Sequence, residues 1–326
     1  MVPIRAVWLE HASGFERLRY YGGVNLKKYL AVLTLVAVVG LGIFVWSRST
    51  GTSESTNENQ LIPETEISHG HGLAVDPKDS SKVYIATHYG LLVLQNDKDL
   101  FRVGASTDDY MGFSVHPTEA NIFFSSGHPS VGGNIGFQKS VDGGFTWKKI
   151  SNGIDGPVDF HSMAFSPVNP NLIYGSFQGS IQRSTDQGET WEIVSRDLRP
   201  VYLVADSQNE NRVYAADAQG QGVLVSIDKG MVWQSLSSQL EGGLVSVIAV
   251  HPTNANIMFA FSEKLRGLGK SADAGATWKK ADETFNGEMV LHLAFDRNNP
   301  ATLYALTIEN KLYKSTNTGD TWIQVR

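Results

Sequence analysis

Five copies of one eight-residue turn motif, each closed by tryptophan, recur between residues 140 and 322 of this 326-residue chain. They run from Ser140 to Trp147, Ser184 to Trp191, Ser226 to Trp233, Ser271 to Trp278 and Ser315 to Trp322, and they use five of the seven tryptophans. Their third positions, Asp142, Asp186, Asp228, Asp273 and Asn317, are spaced by 44, 42, 45 and 44 residues. A fixed period of about 40–45 residues signals one supersecondary unit per repeat, and it is the length of a four-stranded propeller blade.

Each copy reads as a tight turn between two strands. The Asp or Asn accepts hydrogen bonds from nearby backbone N–H groups, and the glycine takes the left-handed backbone position that a side chain resists. The tryptophan then opens the next strand and offers a large ring for packing against a neighbouring sheet, so all five are expected to be largely buried. Four copies keep Thr before Trp; the third has Val232 and the fifth replaces Asp with Asn317, so those two turns must bond differently. These five residues are assigned a structural role.

Aligning the repeats on the motif gives an apolar inner strand at His71 to Val75, Met111 to Val115, His161 to Phe165, Val201 to Ala205, Ser246 to Val250 and Leu291 to Phe295. A second strand follows each after a Pro or Asn turn, a third leads into the motif, and a fourth leaves it. Six inner strands predict six blades. The first lacks the motif, having Gly90 to Gln95 and Leu100 to Val103 joined by an Asn-Asp-Lys turn.

The motif resembles the Asp-box (BNR) repeat, Ser-x-Asp-x-Gly-x-Thr-Trp, of sialidases, of the luminal domain of sortilin and of a photosystem II assembly factor. The resemblance implies an all-β fold, a six-bladed β-propeller with Asp-box turns, and similarity to bacterial membrane-anchored proteins labelled glycosyl hydrolase. It fixes the scaffold and not the chemistry, because such scaffolds host both enzymes and assembly factors. A sialidase would need three clustered arginines, whereas only Arg199 and Arg266 are placed to reach the expected rim. The glycines of Gly132 to Gly136 lack the strand-to-helix setting of a phosphate loop.

Residues 29–46 form an uncharged apolar stretch, preceded by Lys27 and Lys28 and followed by Arg48. Eighteen such residues are near the lower limit for one transmembrane helix, and no Ala-x-Ala-like cleavage site follows Trp46. The positive charge ahead of it predicts a retained single-pass anchor, with residues 1–28 in the cytoplasm and the rest outside. Residues 47–66, rich in Ser, Thr, Asn and Glu, read as a flexible linker, and 67–326 as the propeller. Residues 1–25 have a further reading as an upstream extension, since Gly22-Gly23 can be encoded by a ribosome-binding sequence just ahead of a start at Leu26. Past residue 48 the chain keeps 21 of its 27 basic and 31 of its 33 acidic side chains, a net of −10 that argues against nucleic acid as a partner. With no cysteine, disulfides and thiolate chemistry are excluded.

Chemistry is expected at the face opposite the repeat turns, where inner strands start and second strands end. His69, His71, His88, His128 and His161 fall there, as do Asp108, Asp109, Asp155, Asp159, Glu241 and Glu288. The histidines form a candidate ligand-binding rim for an extracytoplasmic protein, glycan or metal-bearing ligand. His71 and His161 occupy the same position in blades one and three and are the first candidates to hold a divalent metal such as zinc or copper. The alternative is glycoside hydrolysis by two rim carboxylates, with Asp109 and Asp159, on neighbouring blades, as the candidate catalytic pair. His116 and His251, in Val-His-Pro-Thr turns on the other face, read as turn formers, and His292 either faces the channel or packs between blades.

Overall fold

The computed structural model describes residues 59–326, except 197, 218, 282–284 and 286. The apolar segment 29–46 lies outside the described residues, within which no helix is long and apolar enough to cross a membrane.

Six antiparallel sheets follow one another along the chain, each with four strands in sequence order from the centre outward. The inner strands are Gly70–Val75, Asp109–Val115, Ser162–Phe165, Pro200–Ala205, Val245–Val250 and Val290–Phe295. Each lies beside the next, and the sixth returns to the first, so the sheets close as a six-bladed β-propeller around a channel. The strand Leu61–Pro63 falls within the segment read as linker, yet it pairs with Asp99–Val103 and gives blade 1 a fifth, outermost strand. The folded unit therefore starts earlier than residue 67.

The core is divided into six apolar clusters, one between each pair of neighbouring blades. Both faces of a blade are therefore covered, which is why the inner and second strands are apolar at almost every position instead of alternating. Each repeat tryptophan packs into the cluster shared with the preceding blade. Only Trp278 and Trp322 are fully buried, Trp322 under the ring of Phe285; Trp147, Trp191 and Trp233 are half-buried.

The repeat turns bond as their composition predicts, with one addition. In the first, Asp142 Oδ1 accepts from Ser140 Oγ and Thr146 N, its Oδ2 accepts from Thr146 Oγ1 at 2.6 Å, and Trp147 Nε1 donates to Gly144 O. Val232 leaves Asp228 Oδ2 without that hydroxyl, and Asn317 reverses the bond by donating from Nδ2 to Thr321 Oγ1 at 2.9 Å. The addition is a second left-handed residue before the glycine: Gln187, Lys229, Ala274 and Thr318 all have φ between 54° and 60°.

These turns also join the blades. Lys139, Arg183 and Lys270, on third strands, reach the turn of the following blade. Lys314 does the same across the closure, where blade 1 has no repeat motif and Asp97 takes its place, bonded to both Lys314 Nζ and Tyr304 Oη. On the same face, His116 and His251 accept backbone N–H bonds at Nδ1, as turn formers do.

Candidate functional site: the histidine-rich channel mouth

The mouth opposite the repeat turns is built by two strand junctions with the same design. His88 follows the second strand of blade 1, Lys82–Thr87, and its Nδ1 lies 2.5 Å from Oδ2 of Asp109, the first residue of the blade 2 inner strand. His128 ends the second strand of blade 2, Phe123–His128, and its Nε2 lies 2.8 Å from Oδ2 of Asp159, just ahead of the blade 3 inner strand. Two successive blade boundaries thus each clamp an imidazole to a carboxylate.

His71 reaches the first of these pairs from the blade 1 inner strand. The register slips between Gly70 and Gly72, leaving His71 as the extra residue of a β-bulge, a device that re-aims a side chain. The flanking glycines are needed for space: a Cβ on Gly70 would sit 2.3 Å from Leu306 of blade 6, and one on Gly72 would sit 2.9 Å from Phe113 of blade 2. Blades 4, 5 and 6 slip at the same place, with Val201, Ser246 and Leu291 as the extra residues, so the bulge belongs to the repeat and the histidine to blade 1.

His71, His88 and Asp109 can each offer a ligand atom, and the three atoms lie within 4.8 Å of one another. Zinc with bonds of about 2.0–2.1 Å would draw tetrahedral ligands to about 3.4 Å apart, a contraction within reach of side-chain rotation. Two imidazoles and a carboxylate leave coordination positions open, the pattern of metal sites that take an outside ligand. His71 Nε2 and Asp109 Oδ1 are both buried without a hydrogen-bond partner. Such orphaned atoms cost about 1–3 kcal/mol each, a cost that a cation at this point would offset. Burial, followed by the neighbouring His88, pushes His71 down to about 4 against the opposing pull of Asp109, so its lone pair is free at neutral pH.

Asp159 is the most enclosed of the rim acids, its side chain only 4% exposed. Burial raises its pKa despite the opposing pull of His161 and His128, and Asp109 is close enough to add to the rise. His161 Nδ1 lies 3.5 Å from Asp159 Oδ2, and its side chain is largely exposed. His161 therefore sits beside Asp159 and outside the group formed by His71, although the two histidines feel each other's charge. His69, in the left-handed conformation, brings its ring centroid 5.1 Å from that of His88.

The other rim carboxylates do not join this centre. Asp108 accepts from Ser130 N, Glu241 accepts from Ser235 Oγ, and Glu288 is paired with Lys311 and Thr307. Asp155 is exposed in a left-handed turn. His292 faces the channel, where it lines a cavity of about 40 Å³ with His71, His161 and Tyr202; burial lowers its pKa to about 4. That volume holds a water or two, against roughly 300–1,000 Å³ for a small-molecule pocket, so a larger ligand does not fit at this point of the channel. An open groove of about 440 Å³ leads off the mouth between blades 3 and 4, lined by Asp159, His161, Gln178 and Arg199.

Fold and site together define a six-bladed β-propeller with a polar, histidine-lined mouth. No family model matches the chain. Among curated proteins it is 28% identical over 132 residues to a xyloglucanase of Hypocrea jecorina (strain QM6a), a match covering 40% of this chain and 15% of that protein. Among solved structures it is similar to the GH74 xyloglucanase of Xanthomonas campestris, with a TM-score of 0.55, 17% identity and coverage of 81% of this chain and 46% of that one. The GH74 enzyme of Niastella koreensis gives 0.55 at 19% identity, covering 78% of this chain and 46% of its own. YCF48 bound to D1 peptide gives 0.53 at 14% identity, covering 81% and 84%. The chain thus spans less than half the length of the two xyloglucanases and of the Niastella koreensis enzyme, and most of the length of YCF48.

Proposed function

We propose that the propeller is an extracytoplasmic binding module that holds a transition-metal ion, zinc or copper, at its channel mouth and uses it to engage a protein or glycan. The observation that carries this reading is the convergence of His71, His88 and Asp109 on one point, with buried nitrogen and oxygen atoms left unpartnered there. The open positions of such an ion accept a donor from the ligand, and the neighbouring rim and groove supply the remaining contacts. The surface reading is supported by the uncharged apolar stretch 29–46 with its basic flank, read as a membrane anchor with the N-terminus in the cytoplasm. The net charge of −10 past residue 48 disfavours nucleic acid as the ligand. YCF48, which is similar in fold, has been solved with a peptide bound.

The second reading is glycoside hydrolysis by Asp109 and Asp159, favoured by the identity to a xyloglucanase over 132 residues. One experiment separates the two. The purified full chain is titrated calorimetrically with zinc chloride and copper chloride, and separately incubated with xyloglucan while reducing ends are measured. The binding reading expects metal uptake that Asp109→Asn and His71→Ala weaken, with no release of sugar. Sugar release that Asp109→Asn and Asp159→Asn abolish, with no metal uptake, would replace it by the hydrolase reading.

A further inference from the structure

We infer that the end of the channel on the repeat-turn face binds a small organic anion, a monocarboxylate with an apolar body, held by Arg297. The site lies away from the histidine-lined mouth and is independent of any metal ion there.

Arg297 stands in the turn that follows the sixth inner strand, Val290–Phe295. The same place in blades 1, 2, 3 and 5 is proline, at Pro77, Pro117, Pro167 and Pro252, and in blade 4 it is Ser207. The turn itself does not call for a guanidinium. Asp296, just before it, accepts from the backbone N–H groups of Asn298 and Asn299, as Asp76 and Asp206 do for the corresponding pairs in blades 1 and 4. Arg297 is therefore a cation added to a turn that the other five blades make without one.

It lines a channel cavity of about 170 Å³ that all six inner strands enclose, and among the described residues around that cavity it is the only charged one. The walls are apolar, with Val75, Val115, Phe165, Val250 and Phe295 at the strand ends. Leu73, Phe113, Met163 and Tyr202 line both this cavity and the 40 Å³ one beneath the histidines, which places the two end to end along the channel. No described residue hydrogen-bonds or pairs with the Arg297 guanidinium. Arg297 is exposed, yet protein surrounds it closely enough for desolvation alone to lower its pKa, so its access to water is through the lumen it lines. A guanidinium that loses hydration and gains no partner carries a cost that a bound anion offsets. Its planar fork matches a carboxylate through two parallel bonds, and one positive charge suits a monoanion. An apolar cavity of about 150 Å³ takes benzene, so the body that fits here is one ring or a short alkyl chain.

The test is calorimetric titration of the full chain with benzoate, and separately with hexanoate, at neutral pH in a chelator, so that no metal ion is present to take the carboxylate. Uptake of either is expected, and which of them binds more tightly tells a ring from an alkyl body. Benzyl alcohol, with the bulk of benzoate and no charge, should bind about tenfold or more weakly than benzoate. Arg297→Gln should weaken benzoate by a similar factor and leave benzyl alcohol unchanged. Circular dichroism melts show whether the variant folds, and the comparison of benzoate with benzyl alcohol on the parent does not depend on it. The inference is overturned by no uptake of either acid, by equal affinities for benzoate and benzyl alcohol, or by a benzoate affinity that Arg297→Gln leaves unchanged. Acetate or inorganic phosphate binding as tightly as benzoate would also overturn it, since the cavity would then contribute nothing.

Discussion

His88 Nδ1 lies 2.5 Å from Asp109 Oδ2, so an imidazole that follows one blade's second strand is held by the carboxylate that starts the next blade. The contact holds the His88 ring against the carboxylate, so that an imidazole nitrogen and a carboxylate oxygen are already side by side for one cation. Asp109→Asn keeps the side chain's shape and removes its charge. Zinc affinity, measured by competition with a fluorescent chelator, should fall by about 10–100-fold or more. An unchanged affinity would remove Asp109 from the site.

Val232 is the odd residue of the third repeat turn. In the first, second and fourth turns a threonine hydroxyl at this place donates to the aspartate's Oδ2, at 2.5–2.7 Å, while Asp228 Oδ2 has no such donor. Val232 is 67% exposed, so Val232→Thr removes no core packing. It should stabilise the protein by about 0.5–1 kcal/mol, the net worth of a solvent-exposed hydrogen bond, read as a raised midpoint in urea. A lowered midpoint would show that the backbone there cannot adopt the bond.

Ring closure depends on Asp97. It accepts from Tyr304 Oη at 2.7 Å and pairs with Lys314, joining the first blade to the last where no repeat turn is present. Asp97→Ala leaves a buried hydroxyl and a mostly buried ammonium without this partner, and should cost about 2–3 kcal/mol in denaturant unfolding. Asp97→Asn, which can still accept from Tyr304, should cost less. Equal losses in the two variants would assign the effect to the turn backbone.

Acid sensitivity should come partly from the repeat turns. The bond from the Thr277 hydroxyl, with further backbone and Ser271 donors, holds Asp273 below its ordinary value of 3.8. A carboxyl depressed in the folded state contributes stability that is fully present above its unfolded value and is lost as pH falls through the lower, folded one. Asp273→Asn has no such proton to take up and keeps an acceptor oxygen, as Asn317 does naturally. Stability measured at several pH values below 4 should therefore fall less steeply in Asp273→Asn than in the parent. Parallel profiles would mean the bonded carboxylate carries no linkage.

The architecture could be read from the sequence because the repeat places a turn with fixed chemistry in five of the six blades, and both-sided burial makes the inner strands apolar at most positions. Leu61–Pro63 escaped that reading because a three-residue edge strand has no periodicity to show and is surrounded by linker-like composition. At the mouth, strand ends placed His71, His88, His128 and His161 on one face. They could not identify partners, since which imidazole meets which carboxylate depends on loop conformation and on the bulge at His71. His71 and His161 share a place in the repeat yet meet different carboxylates, His71 lying with Asp109 and His161 beside Asp159. Asp109, read as one half of a catalytic pair, is found with the imidazoles.

The most direct measurement of the central claim is anomalous diffraction at the zinc edge from crystals of the full chain grown with zinc chloride. A peak is predicted at the channel mouth, about 2.0–2.2 Å from an imidazole nitrogen of His71, an imidazole nitrogen of His88 and a carboxylate oxygen of Asp109. A mouth without a peak, with the His71 and His88 rings turned away from each other, would contradict it.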